Sequence, residues 1–303
     1  MIKRIPSVLT VIFLLLSMTA CGFFGGTPDV TDATTVDTTA AEEPVPFPVT
    51  VNGLTVDASP QTVISLSPSI TEILCEMGYE KRLIGKSNYC NYPESIKALQ
   101  SFGSGASPDI QAIIDKNPDI VISATTIATK DVMRMKQAGI MTLIIPAPIS
   151  LDTFKGVYKA IGLVFEGLFE GADYGEEKFT PISKACDNVN VINAGNFVYI
   201  TENFDIATGD TLESAVLSCF GTNIAKDGTA YGFEKTYLTE FKPDFIFVSD
   251  KYTIEELEAD EVYGALDAVK NGNVLFLDNT FFERPSARIT KLIGEIERRF
   301  ITY

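Results

Sequence analysis

Val63-Ile64-Ser65-Leu66-Ser67-Pro68-Ser69-Ile70-Thr71-Glu72-Ile73-Leu74 decides the fold of this 303-residue chain. The apolar run from 62 to 66 reads as a buried strand, because a strand covered on both faces is a continuous apolar stretch. Ser67-Pro68-Ser69 breaks the run. Ser69-Ile70-Thr71-Glu72 then has the spacing of a capping box, in which a hydroxyl and a carboxylate three residues later satisfy free N–H groups at a helix start. Ile73, Leu74 and Met77 give that helix an apolar face, and Gly78 closes it.

The same grammar continues outward. Residues 83–85 read as a strand and 109–116 as an amphipathic helix with Ile110, Ile113 and Ile114 on one face. Asn117-Pro118-Asp119 breaks that helix before a strand at 120–122; a helix at 130–138, stopped by Gly139, precedes a strand at 141–145. The second half shows strands at 197–200, 245–248 and 274–277, helices at 211–219 and 254–258, and a terminal helix at 286–300. Helix, Pro-Asp, strand occurs at Pro118 and again at Pro243, after 237–241. Strands alternating with helices predict parallel sheets. The expected architecture is α/β: two Rossmann-like lobes, 49–150 and 190–303, joined by a rigid helical connector at 151–189. Phe154, Val157, Tyr158, Ile161 and Leu168 carry the connector's periodicity. Gly162, Gly167, Gly171 and Gly175 interrupt it, and Pro181 marks a kink or boundary.

The N-terminus carries an address. Lys3 and Arg4 precede an apolar core at 5–16, then Ser17-Met18-Thr19-Ala20 and Cys21. That order is a secretory signal peptide at 1–20, and its core is too short for a membrane span. A cysteine after two small residues resembles a bacterial lipoprotein cleavage site, which implies lipid on Cys21 and an extracytoplasmic chain tethered to the cell membrane. Met18 departs from the usual leucine; an ordinary signal peptide with Cys21 incidental is the other reading. Residues 21–48 have little to bury and are expected to form a disordered tether.

Charge and residue absences exclude several functions. The formal charge is −16, and without Lys3 and Arg4 it is near −18, with 22 basic residues against 40 acidic. No nucleic-acid partner is expected, since phosphate binding needs a basic face. No histidine is present, which removes histidine metal sites, Ser-His-Asp triads and Cys-His dyads. Glu202 with Asp205, and Asp210 with Glu213, sit in no catalytic frame and read as solvated loop and N-cap residues. No catalytic or metal residues and no cofactor are expected. Cys75 with Cys90, and Cys186 with Cys219, suit either disulfides in an exported chain or buried free thiols.

Four segments together carry a family likeness. The 63–74 segment resembles the opening of helical-backbone periplasmic binding proteins, which serve ABC importers of cobalamin, iron-siderophores and haem. Tyr89-Cys90-Asn91-Tyr92-Pro93 resembles the family's Tyr-x-Asp-Tyr-Pro loop, with asparagine for aspartate. Asn117-Pro118-Asp119-Ile120-Val121-Ile122 is similar to its Lys-Pro-Asp-Leu-Val-Ile segment. Phe282-Glu283-Arg284-Pro285-Ser286-Ala287-Arg288 resembles the Phe-Glu-Arg-x-x-x-Arg segment of cobalamin-binding members. The resemblance implies two lobes with a ligand cleft between them and outer tips that dock on a permease through one glutamate each. Gln111 and Glu234 fall near those docking positions, with Gln111 departing from glutamate.

Loops at strand C-termini are where open α/β sheets bind ligands. They offer Ser67, Ser69, Tyr89 and Tyr92 in the first lobe, and Phe204, Tyr231, Phe233, Phe281, Phe282 and Arg284 in the second. Core packing is the alternative for Phe281 and Phe282, and a salt bridge to Glu283 or Glu72 the alternative for Arg284. The chain has no tryptophan, and Ala124 and Gly105 stand where bulk is expected, implying a wider or different cleft. The expected function is capture of a corrinoid or ferric siderophore for an ABC importer. The alternatives are a haem-binding member, and a scaffold or adhesive lipoprotein that has kept the fold.

Overall fold

The computed structural model describes residues 46–189 and 195–301. Residues 1–20, read as a signal peptide, Cys21 and nearly all of the expected tether lie outside the described residues. Two strands that the sequence pattern did not announce, β1 (Val49–Val51) and β2 (Leu54–Val56), form an antiparallel hairpin turned at Asn52 and Gly53, both at positive φ. The first lobe follows: β3 (Val63–Ser65), α1 (Pro68–Glu76), β4 (Leu83–Lys86), α2 (Ile110–Lys116), β5 (Ile120–Ser123), α3 (Thr129–Gln137) and β6 (Met141–Ile144). Its four strands are parallel, in the order β4-β3-β5-β6.

After α4 (Leu151–Asp187) comes the second lobe: β7 (Asn196–Ile200), α5 (Leu212–Leu217), β8 (Thr222–Asn223), α6 (Leu238–Phe241), β9 (Phe245–Ser249), α7 (Ile254–Ala259), α8 (Asp267–Lys270), β10 (Val274–Leu277), α9 (Thr280–Glu283) and α10 (Ile289–Ile301). Its sheet is also parallel, ordered β10-β9-β7-β8. Counted from each lobe's first sheet strand, both orders read second, first, third, fourth.

The repeated Pro-Asp explains part of this symmetry. Asn117 and Lys242 end their helices in the left-handed conformation, at φ of 51° and 48°. Pro118 and Pro243 stop the helices, and the aspartates then clamp the start of the neighbouring strand. Asp119 accepts from the Gln61 and Thr62 amides at 2.7 and 2.8 Å, and Asp244 accepts from the Asn196 amide at 2.8 Å. Each clamp satisfies backbone donors at the entry to the lobe's central strand.

The connector differs from its expectation. Pro181 lies within helix, and only Gly167 leaves helical geometry, at φ 80° and ψ −167°. There the chain folds back on itself. Phe154 and Phe179, which a straight helix would hold about 37 Å apart, have ring centroids 5.3 Å apart. Lys159 reaches Glu176 at 3.0 Å. Gly162, Gly171 and Gly175 therefore do not interrupt the helix. They let two antiparallel arms touch backbone to backbone, where a Cβ would strike the opposite carbonyl. One apolar core runs from Ile122 in the first lobe through Phe154 and Phe179 of α4 to Phe197 and Phe247 in the second. Smaller clusters cover the outer faces of the two sheets.

Two boundaries also move. α1 begins at Pro68, with Ser67 at its N-cap making no side-chain cap bond, so the Ser69–Glu72 capping box does not form. Glu72 points instead to the second lobe, as described below. The terminal helix begins at Ile289 rather than 286, because residues 286–288 are engaged by that same carboxylate and its neighbour.

Candidate functional site

In each lobe the strand order reverses beside the first strand, at β3/β5 and at β7/β9. The crevice beyond the C-terminal ends of such strands is where doubly wound sheets hold ligands. The two crevices are built differently. In the first lobe, Ser67 Oγ accepts from the Ala124 amide at 2.8 Å and Thr71 Oγ1 donates to Ser65 Oγ at 2.9 Å. Ser123 Oγ donates to the Thr125 carbonyl at 2.8 Å. These hydroxyls are buried and satisfied, and they sew the strand ends together. Gly105 packs against Ser123 and Thr125 so closely that a larger residue there would collide with them.

In the second lobe the crevice is open, with a cavity of about 280 Å³. Tyr231 and Phe282 give it aromatic walls, and Thr201, Asn203 and Asn279 give it polar ones. Glu202, Asp205, Glu213 and Glu283 also line it, with no lysine or arginine among the lining residues. Glu213 accepts from the Tyr231 hydroxyl at 3.2 Å, and burial raises its carboxyl above the usual range. Tyr231 and Ala230 both sit at positive φ (62° and 48°), in a loop that the Asp210 carboxylate holds by the Ala230 amide at 3.0 Å. The sequence reading treated Glu202, Asp205, Asp210 and Glu213 as solvated loop and cap residues. Thr211 is the N-cap of α5, which frees Glu213 to face the cavity. Spacing alone carried no signal for that.

A second constellation joins the lobes. Glu72, 1% exposed, accepts from Ser286 Oγ at 2.7 Å and from Arg288 Nη1 at 3.0 Å. Glu76 accepts from the Ala287 amide at 3.0 Å and from the Tyr158 hydroxyl at 2.7 Å. Burial raises both carboxyls above their ordinary values against the pull of these donors. The Arg288 guanidinium also lies 4.6 Å from the Tyr92 ring centroid and 5.3 Å from that of Phe281. Arg288 is the residue that the sequence reading missed; it appeared there only as the end of a motif. Arg284, assigned an anion clamp or a bridge to Glu283 or Glu72, donates to Asn91 Oδ1 of the first lobe at 2.6 Å.

The sequence-predicted residues therefore divide. Tyr231 and Phe282 come together in the second-lobe cavity. Tyr92, Phe281 and Arg284 lie along the joint between lobes. Tyr89 is 64% exposed and free to meet a ligand. Ser67 and Ser69 are buried at the end of β3 and the start of α1. Phe204 turns away, packing on Tyr252 and Tyr263 at centroid distances of 4.4 and 5.1 Å, and Phe233 joins Tyr237 and Phe241. A hollow of about 610 Å³ between the hairpin and α3 and β6 is lined by none of the predicted residues. At the tips, Gln111 donates to Asp115 at 2.9 Å and accepts from Arg134 at 3.2 Å, and Glu234 caps its own turn at Thr236. Among the described residues no group of three or more Asp, Glu or Cys is placed to hold a metal ion.

Two parallel four-stranded lobes on a helical connector, with an open crevice in one and a charged joint between them, define a two-lobed α/β fold. Comparison with known proteins agrees. The family model described as periplasmic binding protein matches residues 63–164. The Bacillus subtilis protein named "Uncharacterized ABC transporter substrate-binding lipoprotein YvrC" is 25% identical over 285 residues, covering 86% of this chain and 88% of that one. A Halobacterium salinarum protein named "Cobalamin-binding protein" is 21% identical over 280 residues, covering 86% and 76%. Among solved structures, a possible iron-binding periplasmic solute-binding protein of Staphylococcus epidermidis superposes with a TM-score of 0.67 at 19% identity, covering 81% of this chain and all of that one. The chain is thus similar to the periplasmic binding proteins over residues 63–164, and over most of its length to proteins named as an ABC transporter substrate-binding lipoprotein and a cobalamin-binding protein.

Proposed function

We propose that this protein is a lipid-anchored, extracytoplasmic capture subunit that takes up a corrinoid and hands it to the permease of an ABC importer. The observation that carries the ligand class is the second-lobe crevice, with four carboxylates, two aromatic walls and no basic side chain. Carboxylates there complement the amide N–H groups that rim a corrin and repel the carboxylates of haem or of anionic ferric chelates. At about 280 Å³ the cavity is below the usual range for pockets that enclose a drug-sized ligand, so it holds only an edge of the macrocycle. Tyr89 and Tyr92 supply the facing surface from the first lobe. Relatives named for cobalamin support the same choice. No cofactor beyond this ligand is needed, and haem would lack a histidine ligand.

A ferric siderophore is the second reading, favoured by Arg284 at the edge of the joint. Cys21 is the lipid attachment site in this proposal, and its counterpart in the B. subtilis relative's name is the word lipoprotein. The test is titration calorimetry of the purified protein against cobalamin, cobinamide, haemin and a ferric siderophore. Binding of both corrinoids, with haemin and siderophore at least tenfold weaker, is the expected result. Preference for an anionic chelate moves the assignment to the second reading, and no binding to any of the four leaves the scaffold alternative.

A further inference from the structure

The Tyr89–Tyr92 loop of the first lobe is gripped from both sides of the joint. On its own side, Cys90 is a buried free thiol 3.1 Å from Thr71 Oγ1 and from Ser87 Oγ, and the Tyr89 amide donates to Ser87 Oγ at 3.2 Å. The next two residues are met by the second lobe. Asn91 Oδ1 accepts from Arg284, and the Arg288 guanidinium lies over the Tyr92 ring, 4.6 Å from its centroid. The same guanidinium lies over Phe281, whose neighbour in the chain is the crevice wall Phe282. Arg288 is itself pinned. Its Nη1 donates to the buried Glu72 at 3.0 Å, and its backbone amide donates at 3.3 Å to Ser286 Oγ, which donates to Glu72 in turn. Among the described residues no other ring or cation lies against Tyr92, which is 45% exposed. A ring so open to solvent has little else to hold it.

We propose that Arg288 is a positioning residue for ligand capture. Anchored on Glu72, it holds Tyr92 and so sets the Tyr89–Tyr92 loop at a fixed place against Phe281 and Phe282 of the second lobe. It acts on the ligand only through that loop. A guanidinium suits the task because it bonds a carboxylate through its edge while it covers an aromatic ring with its face. The gain is preorganisation: a ring already ordered has less rotamer freedom to lose when a ligand arrives. The effect of Arg288 on affinity rests on the corrinoid reading of the site, whereas the order it imposes on Tyr92 does not.

The test uses the full chain with Arg288→Lys, which keeps a cation for Glu72 but has no planar face to lay on a ring. Its melting temperature is expected to stay within a few degrees of the wild type. Calorimetry with cobinamide on wild type, Arg288→Lys, Tyr92→Leu and the double variant gives the first readout. Arg288→Lys is expected to weaken binding about fivefold with Tyr92 present and by less than about 1.5-fold in the Tyr92→Leu background, because residues that act through one another are not additive. An equal loss in both backgrounds overturns the proposal, since an arginine that merely stabilises the joint would act without Tyr92. Ring relaxation of ligand-free protein carrying 13C-labelled tyrosine gives the second readout, with Tyr92 assigned from Tyr92→Leu and Tyr89 from Tyr89→Phe. Tyr92 is expected to be rigid and Tyr89 mobile in the wild type, and both to be mobile in Arg288→Lys. A Tyr92 ring as mobile as Tyr89 in the wild type, or still rigid in Arg288→Lys, overturns the proposal. A wild type that binds no corrinoid sinks the reading of the ligand and leaves the relaxation to decide whether Arg288 orders the loop.

Discussion

The two lobes share a strand order and a Pro-Asp clamp, yet they use the crevice at the switch point in opposite ways. The first lobe spends serines 65, 67 and 123 and Thr71 on sewing its strand ends together. The second keeps the equivalent place open and lines it with carboxylates, Tyr231 and Phe282. One fold thus supplies a closed platform and an open receptor. The difference lies at the C-terminal strand ends and in the segments that follow them, while the strand order stays the same, as expected where function is carried beyond a rigid sheet. The asymmetry extends to the joint, where the first lobe contributes the buried Glu72 and the half-buried Glu76 and the second contributes the donors Ser286, Ala287 and Arg288.

The joint is where the comparison can be broken most severely. Arg288→Ala leaves Glu72 buried beside a lone hydroxyl donor, and loss of one partner of a buried pair costs about 3–5 kcal/mol. Arg288 is 27% exposed, so the lower end is expected. The melting temperature should fall by roughly 6–12 °C, taking about 2–4 °C per kcal/mol for a chain of this class. The control is Lys235→Ala, which removes the more exposed pair with Asp260 inside the second lobe and should cost less than about 1 kcal/mol. Equal effects from the two substitutions would mean that the joint is an ordinary surface contact. A pH series sharpens the point. Glu76, raised by burial, keeps its proton in the folded chain at pH values where the unfolded chain has lost it. The folded state then binds more protons, so this group's contribution is present below the ordinary glutamate value of 4.5 and is lost as pH rises through the folded value. Wild type minus Glu76→Gln stability should therefore decline over that window. A difference that is flat or rises with pH would remove this half-buried acid from the account.

Ligand affinity tests the crevices directly. Phe282→Ala removes an aromatic wall of the open cavity and is expected to weaken corrinoid binding by about ten- to a hundredfold, one decade for each 1.4 kcal/mol. Tyr89→Ala, on the exposed rim of the closed lobe, is expected to cost about tenfold or less. Calorimetry on both variants gives the ratio. A larger loss at Tyr89 would reverse the roles assigned to the lobes.

How much of this was legible in the sequence follows from what kind of signal each feature leaves. Strands and helices of the two sheets announced themselves through apolar runs and Pro-Asp breaks, because burial on both faces leaves no choice of residue. The β1–β2 hairpin escaped, being two strands of three residues with a single turn signal at Asn52-Gly53. The connector was legible as helix and illegible as a fold-back. Gly162, Gly171 and Gly175 weaken a helix in isolation, and only the opposite arm reveals that they are there for close approach. Of the site, the aromatics Tyr231 and Phe282 could be named from loop position. The meeting of Glu202, Asp205, Glu213 and Glu283, drawn from one loop and two helices, could not, nor could the pairing of Glu72 with Arg288 across more than two hundred residues.

The smallest effect expected is at the outer tips, where the lobes differ by one charge. In the family, docking on the permease is implied to use one glutamate from each lobe; here the first lobe offers Gln111 and the second Glu234. Gln111 is held between Asp115 and Arg134. Gln111→Glu would therefore place a carboxylate beside Asp115 while Arg134 competes for it. A new ion pair with a permease arginine at an exposed site contributes about 0–1 kcal/mol, and the internal competition keeps the gain at the low end. Docking of the Gln111→Glu protein on the cognate permease in lipid nanodiscs should strengthen by less than about fivefold, and the gain should shrink at high salt. Glu234→Gln should weaken docking by a similar factor, because it removes the tip's own charge while its amide oxygen can still accept from Thr236. If Gln111→Glu strengthens docking by more than tenfold, the first tip meets an unpaired arginine on the permease and the asymmetry is a real deficit. If neither substitution changes docking at either salt concentration, contact runs through other surfaces, and the difference between the lobes is confined to the crevice and the joint.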